Sequence, residues 1–235
     1  MSAANDFFAR YSRLRSTSTT DVRGERLEYR YRALIERNRK LIHGRRVLDL
    51  GSHDGRWMLA ALDVGARHVV GIEGRQELVD RARSTFREYQ VPNDRYEFIV
   101  GDCLTRVAEL DPGAVDTVFC FGFLYHTLNQ YELLRTVTER EPSTLLIDSR
   151  VVPVDEAAIF LAFNDPRLEG AAIARVPGEE KVLVGVPTPL TLLLMLDHLG
   201  WRAHVLETLP PATPEGEGIR DYCERRRITI VASRT

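Results

Sequence analysis

Apolar residues along this chain alternate between short, densely hydrophobic runs and longer stretches with helical spacing. Val47-Leu48-Asp49-Leu50, His68 to Ile72, Tyr96 to Val100, Val115 to Phe121 and Thr144 to Ser149 are too short for helices and predict five strands, the first buried on both faces. Between them, Gly55 to Gly65, Arg75 to Tyr89 and a stretch holding Leu133, Leu134 and Val137 repeat apolar residues at helical intervals. Leu78, Val79, Ala82 and Phe86 form one such stripe. This alternation predicts an α/β fold, a parallel sheet with helices on both faces.

The flanks depart from that rhythm. Residues 5–14 predict a short helix, Ser16 to Thr20 a polar link, and Asp21 caps a helix running to about Leu41. Leu27, Tyr31, Leu34, Ile35, Asn38, Leu41 and Ile42 mark its packed side; Arg23, Arg26, Arg30 and Arg37 mark a side expected to stay wet. Residues 1–44 thus read as a helical extension of a main domain at 45–235. Residues 151–187 interrupt the main domain with two strands, Ala158 to Phe163 and Lys181 to Val186, and turns at Asn164-Asp165-Pro166 and Pro177-Gly178. Such an insert serves either as a lid over the strand ends or as an arm for a homodimer. A helix opens at Thr188-Pro189 and stops at Gly200, apolar nearly all round and expected in the core. Trp201 to Leu206 and Arg227 to Ala232 are the last strands, with a Pro210-to-Pro214 loop between them.

Composition narrows the setting. A chain of 235 residues suits one well-filled domain. The start of the chain lacks a secretory pattern and no apolar run reaches membrane-spanning length, so the expected location is the cytoplasm and no membrane partner is expected. Three cysteines without a C-x-x-C pair indicate neither a disulfide framework nor zinc. Residues 1–46 hold 12 Arg/Lys against 5 Asp/Glu, within a chain of net charge −2. That basic segment could meet an anionic partner, but a solvated helix face is the simpler reading.

The chemistry concentrates where strands end. After the first strand, Gly51-Ser52-His53-Asp54-Gly55 forms a glycine-bracketed turn into a helix, a nucleotide-pocket arrangement in which the backbone passes close to a ligand. It is not G-x-G-x-x-G, and Asp49 precedes it, so a pyrophosphate is disfavoured and a cationic ligand favoured. Glu73 and Asp102 close strands two and three on the same edge, and Glu73 offers two acceptor oxygens for a pair of ribose hydroxyls.

On the acid, the spaced glycines and the three strand-end acids, the chain resembles the class I S-adenosylmethionine-dependent methyltransferases, with His53 where a middle glycine is usual. The resemblance implies S-adenosylmethionine as cofactor and a Rossmann-like seven-stranded sheet whose last strand returns antiparallel. It implies a cofactor set of Asp49, Gly51, Ser52, His53, Gly55, Glu73, Gly74, Asp102, Cys103 and Phe121. Asp49 and the loop would lie by the amino-acid and ribose parts, and Asp102 and the Cys103 N–H by the adenine.

Phe121-Gly122-Phe123-Leu124-Tyr125-His126 follows strand four, at the edge where an activated methyl group would point. His126 suits a general base for a hydroxyl acceptor, though it could equally cap the next helix. Tyr125 is expected to bond or stack on the acceptor, and Asp148, ending strand five, to orient His126, hold the acceptor or cap a loop. Asp148 and Asp165 could offer hard oxygens to Mg²⁺, which some sugar O-methyltransferases use, but no spacing demands a metal. The expected activity is methylation of a hydroxyl on a small molecule such as a sugar or secondary metabolite. Gly-Phe-Leu-Tyr-His also resembles a string in the enzyme that carboxymethylates tRNA wobble uridines, which makes RNA modification the second reading, although no RNA-binding platform is recognisable. A non-catalytic cofactor-binding regulator of another protein is the third.

Overall fold

The computed structural model describes residues 6–17, 25–174, 176, 178–209 and 217–234, with Glu217 in backbone only. Asp21 as a cap, Arg23, the link residues Ser18 to Thr20, Pro177 and the Pro210-to-Pro214 loop lie outside these.

Five strands run parallel: β1 (Arg46–Leu50), β2 (His68–Glu73), β3 (Tyr96–Val100), β4 (Thr117–Phe121) and β5 (Thr144–Arg150). Two more, β6 (Ile159–Asn164) and β7 (Val182–Pro187), pair only with each other among the described residues and form the insert's hairpin. β8 (Arg202–Val205) and β9 (Arg227–Ser233) complete the main sheet, whose order is β3-β2-β1-β4-β5-β9-β8. β9 runs antiparallel to both β5 and β8, as the resemblance implied.

Alternate residues of β1 enter opposite cores. Val47 joins a cluster with Trp57, Met58, Val79 and Phe119, whereas Leu48 and Leu50 join Ile72, Val118, Leu133 and Trp201. The N-terminal segment belongs to the first of these. Phe7, Phe8, Leu14, Leu27, Tyr31 and Leu34 are buried in it, so the described parts of the N-terminal segment, residues 6–17 and 25–44, pack on the sheet's core.

The wet arginine face is corrected by the structure at Arg26 and Arg30, whereas Arg37 stays exposed. Arg26 forms a two-pronged pair with Asp221 at 2.8 and 2.7 Å, Arg30 bonds Asp148 at 2.8 Å, and Arg37 caps the Glu207 carbonyl at 2.7 Å. Arg30 falls within the apolar stripe, between Leu27 and Leu34, and after it the helix widens into a π-helical stretch, Tyr31–Glu36, with an Arg37 N–H to Arg32 carbonyl bond spanning five residues. The expected all-round burial of the helix Pro189–His198 is also corrected: Leu192 and Leu196 are buried, while Leu190 and Leu194 are exposed on the opposite side.

Candidate functional site

The parallel strands deliver their C-terminal ends to one edge, where a cavity of about 920 Å³ opens. It is lined by Gly51, His53, Glu73, Gly74, Asp102, Cys103, Phe121, Tyr125 and His126 from the expected set, and roofed by residues 169–174, Val182 and Leu183 of the insert. Part of the insert therefore covers the strand ends.

Gly51, His53 and Gly55 all adopt positive φ, +66°, +53° and +76°. His53 thus accepts the left-handed backbone that a glycine takes without strain, and the turn forms despite the substitution. Gly51 is required for a second reason: a side chain there would meet the Phe123 ring 2.7 Å away. The Glu73 carboxylate fixes the turn by accepting the N–H of His53 at 2.9 Å and of Arg75 at 3.0 Å. Each oxygen retains a lone pair for a further donor.

Asp49 is 1 % exposed and lies behind the loop rather than in the cavity lining, with Oδ2 buried and unpartnered among the described residues. Burial, then the neighbouring Glu73 carboxylate, push its pKa well above the ordinary carboxylate range. Ser52 is corrected outright as a cavity residue. Its hydroxyl and Met58 Sδ fill the space beside Gly71, its N–H donates to the Ile72 carbonyl of β2 at 3.0 Å, and its carbonyl accepts the Gly55 N–H at 2.9 Å to close the turn. Gly55 also stays behind the lining, against Phe86, Phe98 and Ala82. Asp102 lines the cavity and caps the helix Cys103–Ala108 through a 3.2 Å bond from the Thr105 N–H. Cys103 opens that helix with its thiol turned into the core toward the Ile72 carbonyl. Phe121 stacks on Phe119 at 4.6 Å and presents its edge to Trp57.

Asp148 does not orient His126. It is completely buried, paired with Arg30 at 2.8 Å and Arg227 at 2.7 Å, and accepts the Tyr222 hydroxyl at 2.6 Å. Burial alone would raise its pKa, yet the two guanidinium groups hold it below its ordinary value. A carboxylate so saturated has no capacity for an acceptor or a metal. Asp165 is likewise taken by Arg167, at 2.8 and 2.6 Å, and no group of three or more metal-ligating side chains occurs among the described residues.

The partner of His126 is Asn164, from the insert, with Nδ1 2.8 Å from the amide oxygen. That oxygen also accepts the Ala172 N–H at 3.4 Å, which fixes the amide orientation. Nδ1 must then donate, leaving Nε2 as the free acceptor. Burial above all, with the charges of Arg227 and Arg150, pushes His126 below its ordinary pKa, so it is neutral at pH 7. Tyr125 sits against the His126 ring at 4.2 Å and accepts a 3.1 Å bond from Arg227.

Arg30, Arg75, Asn164 and Glu169 also line or support this cavity and were absent from the sequence-derived set. Arg30 was legible in principle, because it stands three residues after Leu27 and four before Leu34, within the apolar stripe. No local signal marks the others.

Residues 47–140 match a family described as a methyltransferase domain. A tRNA U34 carboxymethyltransferase of Alteromonas mediterranea is 28% identical over 127 residues, covering 52% of this chain and 37% of the relative, so the match spans well under half of that protein. Among solved structures, the N-terminal domain of EvdMO1, crystallised in the presence of SAH and D-fucose, superposes with TM-score 0.64 at 21% identity, over 88% of this chain and 81% of its own. Magnesium protoporphyrin IX methyltransferase from Synechocystis PCC 6803, with bound SAM, gives 0.60 at 14% identity, over 98% and 94%.

Proposed function

Residues 47–140 being a methyltransferase domain, we propose that the protein uses S-adenosylmethionine to methylate a hydroxyl of a small molecule, with His126 as general base. The observation that carries this reading is the neutral His126, its Nδ1 tied to Asn164 and its Nε2 free, in the same cavity as Glu73 and the Gly51-to-Gly55 turn.

The residues fit the cofactor. Glu73 keeps two lone pairs for ribose hydroxyls, Asp102 and the Cys103 N–H lie where adenine is expected, and the Arg30 guanidinium, 5.0 Å over the Trp57 ring, is placed for a carboxylate. When bound, the cofactor supplies a methyl group on a positively charged sulfur, already a good leaving group. His126 Nε2 would accept the proton of the acceptor's hydroxyl, freeing that oxygen to take the methyl group that the cofactor would supply. The insert and the Phe121 wall hold the acceptor in place and exclude water, and such positioning supplies much of the rate in a displacement.

The relative from A. mediterranea and the Gly122-to-His126 string favour a second reading, transfer of a carboxymethyl group to tRNA. A carboxylated donor would also turn to Arg30. The engagement of Arg26 and Arg30 within the fold weighs against an RNA-binding face on that helix.

Calorimetric titration tests both. S-adenosylmethionine should bind wild type and lose at least about tenfold in affinity in Glu73→Ala, while His126→Ala keeps the affinity and loses about 10²- to 10⁴-fold in turnover. Folded wild type that binds neither S-adenosylmethionine nor S-adenosylhomocysteine overturns the assignment, and preference for the carboxylated cofactor selects the second reading.

A further inference from the structure

The insert touches the cavity at two separated places, and one short run of chain makes both contacts. Asn164 reaches His126 at the proposed proton-accepting end. A few residues on, Arg75 Nη2 donates to the carbonyls of Pro166 at 2.8 Å, Leu168 at 3.1 Å and Ala171 at 3.4 Å. Glu169 receives Arg81 Nη1 at 3.0 Å on each oxygen and lies 3.2 Å from His53 Nε2. The Ala172 N–H closes the run back onto the Asn164 amide. Arg75 is itself fixed through its N–H to Glu73. The carboxylate expected to hold the ribose is thus one residue pair away from the loop that follows the histidine's partner at the end of β6.

We infer that Arg75, assisted by Glu169 and Arg81, is a positioning residue for His126: by clamping the 166–171 backbone it holds Asn164 where the amide oxygen captures the Nδ1 proton and leaves Nε2 free. The proposal rests on the reading of His126 as base, but its physical content is a tautomer and can be measured without turnover. The other groups at the ring do not substitute for Asn164. Arg227 and Arg150 are donors only, and the Tyr125 hydroxyl is already engaged by Arg227. Without the clamp, the Ala172 N–H is released from Asn164 at the end of β6, the amide is free to turn, and the imidazole proton distributes over both nitrogens. Closure of the insert on the cofactor edge and readiness of the base are then one event.

The test is ¹⁵N spectroscopy of the full chain labelled at its histidine imidazoles, at a pH where they are neutral, with His126 assigned from the signal missing in His126→Gln. Wild type should show the Nδ1–H tautomer in roughly five- to tenfold excess, the bias that one net hydrogen bond supplies. Arg75→Ala should bring the two tautomers toward equal population, as should Asn164→Ala, which removes the acceptor. Arg75→Lys, which keeps one donor cluster, should restore part of the excess. Glu169→Gln, a milder change, should reduce the excess and serves if Arg75→Ala does not fold. A wild-type tautomer ratio in both folded Arg75→Ala and folded Glu169→Gln overturns the inference, as does an Nε2–H tautomer in wild type. Titration of the same wild-type sample with S-adenosylhomocysteine separates the two ideas: absent binding removes the cofactor assignment and leaves the tautomer result standing, whereas binding with an unbiased tautomer removes only the clamp.

Discussion

Asp49 concentrates the conflict between stability and binding at the scale of a single residue. Its Oδ2 is buried and unpartnered, and its raised pKa means the folded chain holds a proton that the unfolded chain releases. The stability linked to that proton is present at acid pH, declines once pH exceeds the ordinary carboxylate value of 3.8, and is lost as pH climbs through the raised value. Asp49→Asn removes the liability. We expect the ligand-free variant to gain about 1–2 kcal/mol at pH 8, seen as a higher melting temperature, and to bind the cationic cofactor at least about tenfold more weakly. Wild-type affinity in this variant would remove Asp49 from the cofactor's electrostatic surroundings. The same residue shows how far local reading carries. An acid before a glycine turn was visible in the sequence, but its position behind the loop, and the turn of Ser52 into the core against Gly71, depend on the pleat of β1 against β2.

Among the elements, the N-terminal helix differs most from its reading. Apolar spacing assigned it one packed and one wet side, whereas Leu27, Tyr29, Tyr31 and Ala33 are all buried and Arg26 and Arg30 close ion pairs with distant segments. Spacing is a sound guide only while each turn holds the usual number of residues, and the π-helical stretch breaks that condition. A half-buried acid reports on how this element is seated. Burial, then the Asp6 carboxylate, push Glu28 up to about 8. Its folded form is protonated over a range where the unfolded chain, near 4.5, is not, so the linked stability falls as pH rises from about 4.5 and is gone above about 8. The expected result is a melting temperature that declines across that window in wild type and stays flatter in Glu28→Gln. Parallel profiles would mean that Glu28 is solvated as an ordinary surface carboxylate.

For the whole molecule, the cavity joins β1 to β4, the N-terminal helix and the insert, so a ligand filling it should stabilise the fold as one unit. S-adenosylhomocysteine at about 100 times its dissociation constant contributes about 2.7 kcal/mol, which for a chain of this size raises the melting temperature by roughly 5–10 °C. Glu73→Ala should cut that shift to about half or less at the same concentration. An undiminished shift would place the ligand elsewhere than the β2 edge.

By itself the sequence determined the parallel α/β sheet, the boundaries of its strands, the glycine turn and the row of acids at the strand ends, because these follow from short-range rules of periodicity, backbone freedom and strand direction. It also marked Tyr125 and His126 as cavity residues. Only the tertiary structure decided that Asp148 belongs to Arg30, Arg227 and Tyr222, and that the histidine's partner is Asn164. It likewise decided that Arg75 and Glu169 fasten the insert beside the turn. Those pairings join residues far apart in the chain, and a buried charge or amide takes whichever complementary group the packing brings within about 3 Å, which no local spacing encodes.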